Sequence, residues 1–173
     1  LPPGKFMGAV AMEENHYERI DLSGNITGGL ISGHLPRGDW KIMIYTLNPD
    51  PSSGRKHVDY LSPSSVSKFI ELTYEKFYHA FPEHFGTTID FAFYDEPTLR
   101  WVEGGRAWTG SFNDEFEKAY GFSPVILYPA LWYDIGSETN AARNMLFGFR
   151  AELYASGFPK VINDWCREHD IQL

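Results

Sequence analysis

Short apolar runs alternate along the chain with segments of helical period, and clear punctuation separates them. "KFMGAVAM", residues 5–12, is a continuous apolar run suited to a buried strand. "ERIDLSG" and "LISGHLP" flank the glycine-rich "NITGG" and predict a hairpin or small excursion. "DWKIMIYTL", residues 39–47, predicts a second strand, followed by the polar loop "NPDPSSGRKH". Ser62 and Pro63 then supply an N-cap and a first helical position. Val66, Phe69, Ile70, Thr73, Phe77 and Phe81 recur at helical spacing until Pro82 ends the pattern.

The run "TTIDFAFYDEP", residues 87–97, carries few polar interruptions and predicts a strand covered on both faces. Pro97 lacks an N–H, so the chain leaves the sheet there. Ser111 and Asp114 open a short helix whose Phe112, Phe116 and Tyr120 share one face, and Gly121 closes it. "SPVILYPALWYD" is a further apolar run ending in an acid, Asp134. From Glu138 to Ala155 a third helix carries Ala142, Met145, Leu146, Phe149 and Leu153 inward. Gly157 and Pro159 predict a break, a last helix runs to about His169, and "IQL" begins one more strand.

Strands alternating with helices predict an α/β fold, a parallel sheet with right-handed crossovers. Three or four such units in one domain over 1–173 fit part of a (β/α)8 TIM-type barrel, since a full barrel takes roughly 250 residues. An open doubly wound sheet is the alternative. The opening "LPPGKF" has no signal-peptide pattern and no initial Met, so the chain reads as an excised piece of something longer.

Composition narrows the partners. The net charge is −8 and no basic run occurs, which argues against nucleic acid or an anionic membrane. No segment reaches the roughly 18 to 20 apolar residues of a membrane span. Aromatic residues make up 16% of the chain, which a large core explains, although sugar clefts use aromatic faces too. The single Cys166 excludes an internal disulfide and reads as a buried structural thiol. No P-loop, G-x-G-x-x-G or G-x-S-x-G is present, and the histidines show no metal-binding spacing, so the metal ligands are unknown.

The chemistry gathers where the 87–97 run stops. Adjacent carboxylates are costly to bury, so Asp95 and Glu96 are expected in a crevice at the carboxyl end of their strand, where parallel folds bind ligands. Glycoside hydrolysis needs one carboxyl group held protonated and another ionised. Partial burial beside a second carboxylate favours the neutral form, which suits Glu96 as general acid with Asp95 as neighbour. The alternative is that Glu96 caps a turn and Asp95 bonds loop amides. Glu103, in "WVEGGRAWT", is the other candidate acid, against a solvated loop residue. Asp59 and His57 follow the polar loop and are expected near the same mouth, Asp59 as a binding or calcium-site residue or as a turn leading into the helix. Asp134 either reaches the cleft or caps the helix after Ser137. Trp101 sits in a loop without a core pattern and is a candidate for stacking on sugar. Trp108, Trp132 and Tyr94 fit core packing better than stacking. Glu13 and Glu14 read as a solvated pair.

Several stretches, in order, resemble the family 106 glycoside hydrolases, the α-L-rhamnosidase-like enzymes. They are "IDLSGNITGGLISGHLPRGDWKIMIY", "HVDYLSPSSVSKFIELTYEKFYHAF", "AFYDEP", "WTGSFNDEFEKAYGFSP" and "YPALW", together spanning about residues 6 to 169. The resemblance implies a catalytic barrel that cleaves terminal sugars of polysaccharides or glycosides. It also implies a calcium requirement and a periplasmic or extracellular location. The sequence departs from the family pattern in one place. Asp95 is followed at once by Glu96 and Pro97, and thirteen positions separate it from Trp108. The acid therefore maps to Glu96 or Glu103, and glycosidase is a firmer reading than rhamnosidase. No second catalytic carboxylate is evident, so it is expected beyond Leu173. These residues alone are then expected to be inactive, and to associate with the rest of the polypeptide or with themselves. A non-catalytic carbohydrate-binding barrel is the competing function.

Overall fold

The computed structural model describes residues 1–49, 57–99 and 104–173. It divides into two compact units, Leu1–Gly54 with Gly110–Phe149, and Arg55–Thr109 with Arg150–Leu173.

The first unit is built on β1 (Lys5–Glu13), whose residues from Met7 to Glu13 are all buried. Such burial requires partners on both edges and cover on both faces. β1 is the middle strand of a three-stranded sheet, between β2 (Arg19–Asp21) and β5 (Trp40–Leu47). Both neighbours run antiparallel to it, with Val10 opposite Asp21 on one side and Met43 on the other. A separate two-stranded hairpin, β3 (Ile26–Thr27) and β4 (Leu30–Ile31), lies in the connection to β5. On one face of the sheet, Ala9 and Ala11 pack with Leu22, Ile20, Ile31, Leu35 and Trp40. On the other, Met12 and Met43 pack with Ala130, Ile135 and Ala142. Gly8 stands at a register shift in β1, and a Cβ there would lie 2.6 Å from Val125. Only glycine lets the 3-10 segment Pro124–Leu131 come that close.

These pairings overturn the expected parallel (β/α)8 architecture. Parallel pairing needs a crossover connection, usually helical. Residues 14–39 supply β2 and the small hairpin instead, so β5 returns antiparallel. The run "PVILYPAL" is likewise no strand: Pro124 and Pro129 remove two ladder donors, and the segment winds as a 3-10 helix capped by Ser123. α3 (Phe112–Tyr120) ends at left-handed Gly121, as its sequence predicts. Its fully buried Phe112 and Phe116 both meet Phe149 edge-on at 5.3 Å, which accounts for part of the aromatic content as core.

The second unit packs α1 (Pro63–Leu72) and α2 (Tyr74–Ala80) with the later turns of α4 (Thr139–Glu168). Ser62 caps α1 as its sequence predicts, accepting from Ser65 N–H at 3.4 Å. The predicted single helix is interrupted at Thr73, whose hydroxyl donates to the Phe69 carbonyl at 2.6 Å. A 3-10 turn, Pro82–His84, follows α2. The expected break at Gly157 and Pro159 does not occur, and α4 runs through both. Gly157 has a packing role: its Cα faces the Tyr60 carbonyl so closely that a Cβ would lie 2.4 Å away. The core here is Val66, Ile70, Phe158, Ile162, Trp165, Cys166 and Ile171. Cys166 is buried and unbridged, as expected.

The 87–97 run is neither a sheet strand nor covered on both faces, contrary to the expectation. Ile89, Ala92 and Tyr94 pack on this core, while Phe91 and Phe93 are 65% and 74% exposed. Its pairing among the described residues is limited to isolated parallel bridges, Ile89 with Phe85 and Phe91 with Gln172, with Ala92 N–H donating to the Gln172 carbonyl at 2.8 Å.

The two glycines of α4 give a paired test. Gly148→Ala, with open space around it, is expected to stabilise by roughly 0.5–1 kcal/mol through helix propensity. Gly157→Ala is expected to destabilise by roughly 1–3 kcal/mol, because the obstructing atom is backbone. Urea denaturation of both variants measures the difference, and equal midpoints would refute the packing role of Gly157.

Candidate functional site

In the second unit, the segment 89–97 leads to Asp95, Glu96 and Pro97 over the core described above. Both carboxylates are exposed, not drawn into a crevice. Glu96 has φ +46°, the left-handed region that side chains with a Cβ avoid, and its carbonyl accepts from Thr98 N–H at 2.7 Å. The chain is fastened just beyond it, where Tyr154 of α4 donates its hydroxyl to the Pro97 carbonyl. Burial, then Tyr94 and Tyr60, push the Tyr154 hydroxyl above its ordinary pKa, so it remains a donor. Alongside this segment lies an open groove of about 580 Å³ lined by Phe93, Tyr94, Pro159, Lys160 and Asn163 among others. A groove of that size admits a small ligand.

The other expected residues are distributed as follows. Asp59 is half-buried, and its carboxylate accepts from Leu61 N–H at 3.0 Å while its carbonyl accepts from Ser62 N–H. It builds the turn leading into α1. His57 is exposed two residues before it. Trp108 is half-buried beside fully buried Thr109, with the Arg150 guanidinium 5.9 Å from its ring centroid. Trp101 and Glu103 lie outside the described residues.

Asp134 belongs to the first unit and braces the turn ahead of α4. Its carboxylate accepts from the Thr139 hydroxyl at 2.6 Å and from Gly136 N–H at 2.8 Å, just ahead of α4. The Thr139 bond, then the Gly136 amide, hold its carboxyl below the usual range against the effect of burial, and Arg143 adds to this.

Glu13, read from the sequence as a solvated acid, is buried at 6% exposure. Its carboxylate accepts from His16 N–H at 2.6 Å, Asn15 N–H at 2.7 Å and the Asn15 side chain at 3.1 Å, and His16 Nδ1 lies 3.1 Å away. Burial alone would raise its pKa, but those hydrogen bonds outweigh it and hold the group at about 2. The signal in the sequence was "EENH", in which Glu13 is followed two and three positions on by groups able to wrap it. Among the described residues no three His, Cys, Asp or Glu side chains gather so as to hold a metal ion. The calcium implied by the family resemblance therefore finds no cluster there. Nor is any described helix long and apolar enough to cross a membrane.

Comparison with known proteins adds one relationship. The chain is similar to a Formosa agariphila protein named "Putative beta-glucuronidase", at 23% identity over 186 aligned residues. The alignment takes in 99% of this chain, which spans 15% of that relative's length. No family model matches, and no solved structure matches.

Glu13 makes a pH prediction. Its pKa in the folded chain lies below the ordinary value of 4.5, so its stabilisation is complete above about pH 4.5 and disappears as pH falls toward 2. Glu13→Gln is expected to be less stable than the parent at pH 7, with the gap narrowing between pH 4.5 and 2. Denaturation midpoints across that window test this, and a constant gap would contradict it.

Proposed function

We propose that the chain is part of a glycoside-processing enzyme in which Glu96 exchanges a proton with the glycosidic oxygen. The observation that carries this reading is the similarity along 99% of the chain to the Formosa agariphila protein. Two features of the segment support Glu96 as the group concerned. A non-glycine residue at φ +46° costs of order 1–3 kcal/mol, and such backbone is retained mainly where a site uses it. The groove beside Phe93 and Tyr94, close to Glu96 in sequence though not lined by it, gives a sugar ring a surface to lie on.

The substrate in this reading is a terminal sugar, a glucuronide by the relative's name or a rhamnoside by the motif order. One carboxylate protonates the departing oxygen, and a second, ionised one faces the anomeric carbon. Asp95 adjoins Glu96 at the start of the left-handed turn and is assigned to substrate binding. A non-catalytic carbohydrate-binding role is the second reading. It is favoured by the exposure of both carboxylates, since an acid that must stay protonated is normally kept dry.

Hydrolysis of 4-nitrophenyl β-D-glucuronide and α-L-rhamnoside by the full protein carrying this chain separates the two. The catalytic reading expects Glu96→Gln to lower kcat by roughly 10²–10⁴-fold with KM little changed, as for loss of a general acid. Full activity in Glu96→Gln would overturn it. Absence of turnover with retained glycan binding would favour the second reading.

A further inference from the structure

The first unit carries an aromatic strip distant in sequence from the Asp95–Glu96 segment. Lys41, Met43 and Tyr45 project from one face of β5, because alternate strand residues share a face. Over them come residues of, and just after, the 3-10 segment. Trp132 stacks on Tyr45 with centroids 5.6 Å apart and planes 27° apart, and Tyr128 meets Tyr45 edge-on at 5.2 Å. Lys41 Nζ lies 4.6 Å from the Tyr133 ring centroid and 3.0 Å from the Glu14 carboxylate. Trp132 and Tyr133 are nonetheless 39% and 41% exposed.

This strip is held in place before any ligand arrives. The Trp132 and Tyr133 amides both donate to the Pro129 carbonyl, and Arg143 donates to the carbonyls of Ala130 and Tyr133 at 2.6 and 3.2 Å. Tyr45 beneath is kept protonated by burial, with Tyr133 and Tyr128 nearby, and donates to Met43 Sδ at 3.3 Å. Ordering that is already complete in the free protein does not oppose binding.

We infer that Tyr45, Trp132, Tyr133 and the Lys41–Glu14 pair form a binding subsite for a neutral pyranose ring. The faces of Trp132 and Tyr133 turned away from Tyr45 and Lys41 take the apolar C–H side of the sugar, with Tyr45 supporting Trp132 from beneath. The ion pair sets a donor beside an acceptor, so the ammonium donates to one ring hydroxyl while the carboxylate accepts from its neighbour. Because Glu14 balances the charge of Lys41, the rim favours a vicinal diol over a carboxylate, which would meet Glu14. A phosphate-bearing chain is disfavoured by the net charge of −8. This inference rests on the carbohydrate part of the proposed function but not on the role of Glu96.

The test is ligand-observed NMR and tryptophan fluorescence on the full protein with methyl α-L-rhamnopyranoside, methyl β-D-glucopyranoside and methyl β-D-glucuronoside. At least one neutral glycoside is expected to bind more tightly than the glucuronoside. Trp132→Ala is expected to weaken that binding roughly tenfold or more. Glu14→Gln changes an exposed group, leaves the aromatic packing intact and is expected to weaken it several-fold, which reads the polar rim independently of folding. Failure of both neutral glycosides to bind, unchanged affinity in Trp132→Ala or Glu14→Gln, or preference for the glucuronoside overturns the subsite. Trp132-dependent binding with full hydrolysis in Glu96→Gln would remove the catalytic assignment alone. Loss of hydrolysis in Glu96→Gln with binding indifferent to Trp132 would remove the platform alone.

Discussion

Seven consecutive buried residues on β1 are the constraint around which the first unit is arranged. A buried backbone cannot leave its N–H and C=O groups unpaired, so β1 needs a strand along each edge. Its side chains then point alternately to two faces, and each must be covered by something different. The excursion through Leu22, Ile31 and Leu35 closes one face, and the Pro124–Leu131 segment with the start of α4 closes the other. At Gly8 that second layer comes so close that a Cβ would lie 2.6 Å from Val125.

The functional features of that unit follow from the same strand. Glu13 closes β1, where the ladder gives out and an acceptor is needed for the amides of the following turn. Its four hydrogen-bonding contacts hold it as an anion in its own turn, which removes it from competition as a proton donor. One residue on, Glu14 turns outward to Lys41 and so reaches the aromatic strip on β5. Neighbouring acids thus take opposite roles, one structural and one at the surface.

In the second unit the core is made by helices, and the segment bearing Asp95 and Glu96 lies over it as an extended chain. Ile89, Ala92 and Tyr94 are anchored in the core; Phe91 and Phe93 face solvent. The fixed points are Tyr94, which meets Phe158 edge-on at 5.1 Å, and the Pro97 carbonyl, held by Tyr154. Between them the backbone turns through the left-handed region at Glu96. Anchors on either side are what allow a strained residue to persist, and they give the carboxylate a defined place without burying it.

Local signals were legible wherever a few neighbouring residues determine the outcome. The Ser62–Pro63 cap, the Gly121 stop and the strands at 5–13 and 40–47 all appear as their sequence predicts, because capping chemistry and apolar runs act over a few residues. Strand direction was not legible, since the same β-branched and aromatic run pairs either way and the connection decides. The burial of Glu13, the exposure of Trp132 and the continuity of α4 through Pro159 also escaped, because each depends on residues packed from elsewhere in the chain. The sequence by itself therefore determined that the segments 5–13 and 40–47 are extended, that helices begin near Ser62 and Phe112, and where the second of these stops. Tertiary structure alone decided how the strands pair, which carboxylates meet water and which aromatic rings stay open, since those outcomes depend on backbone partners and neighbours remote along the chain.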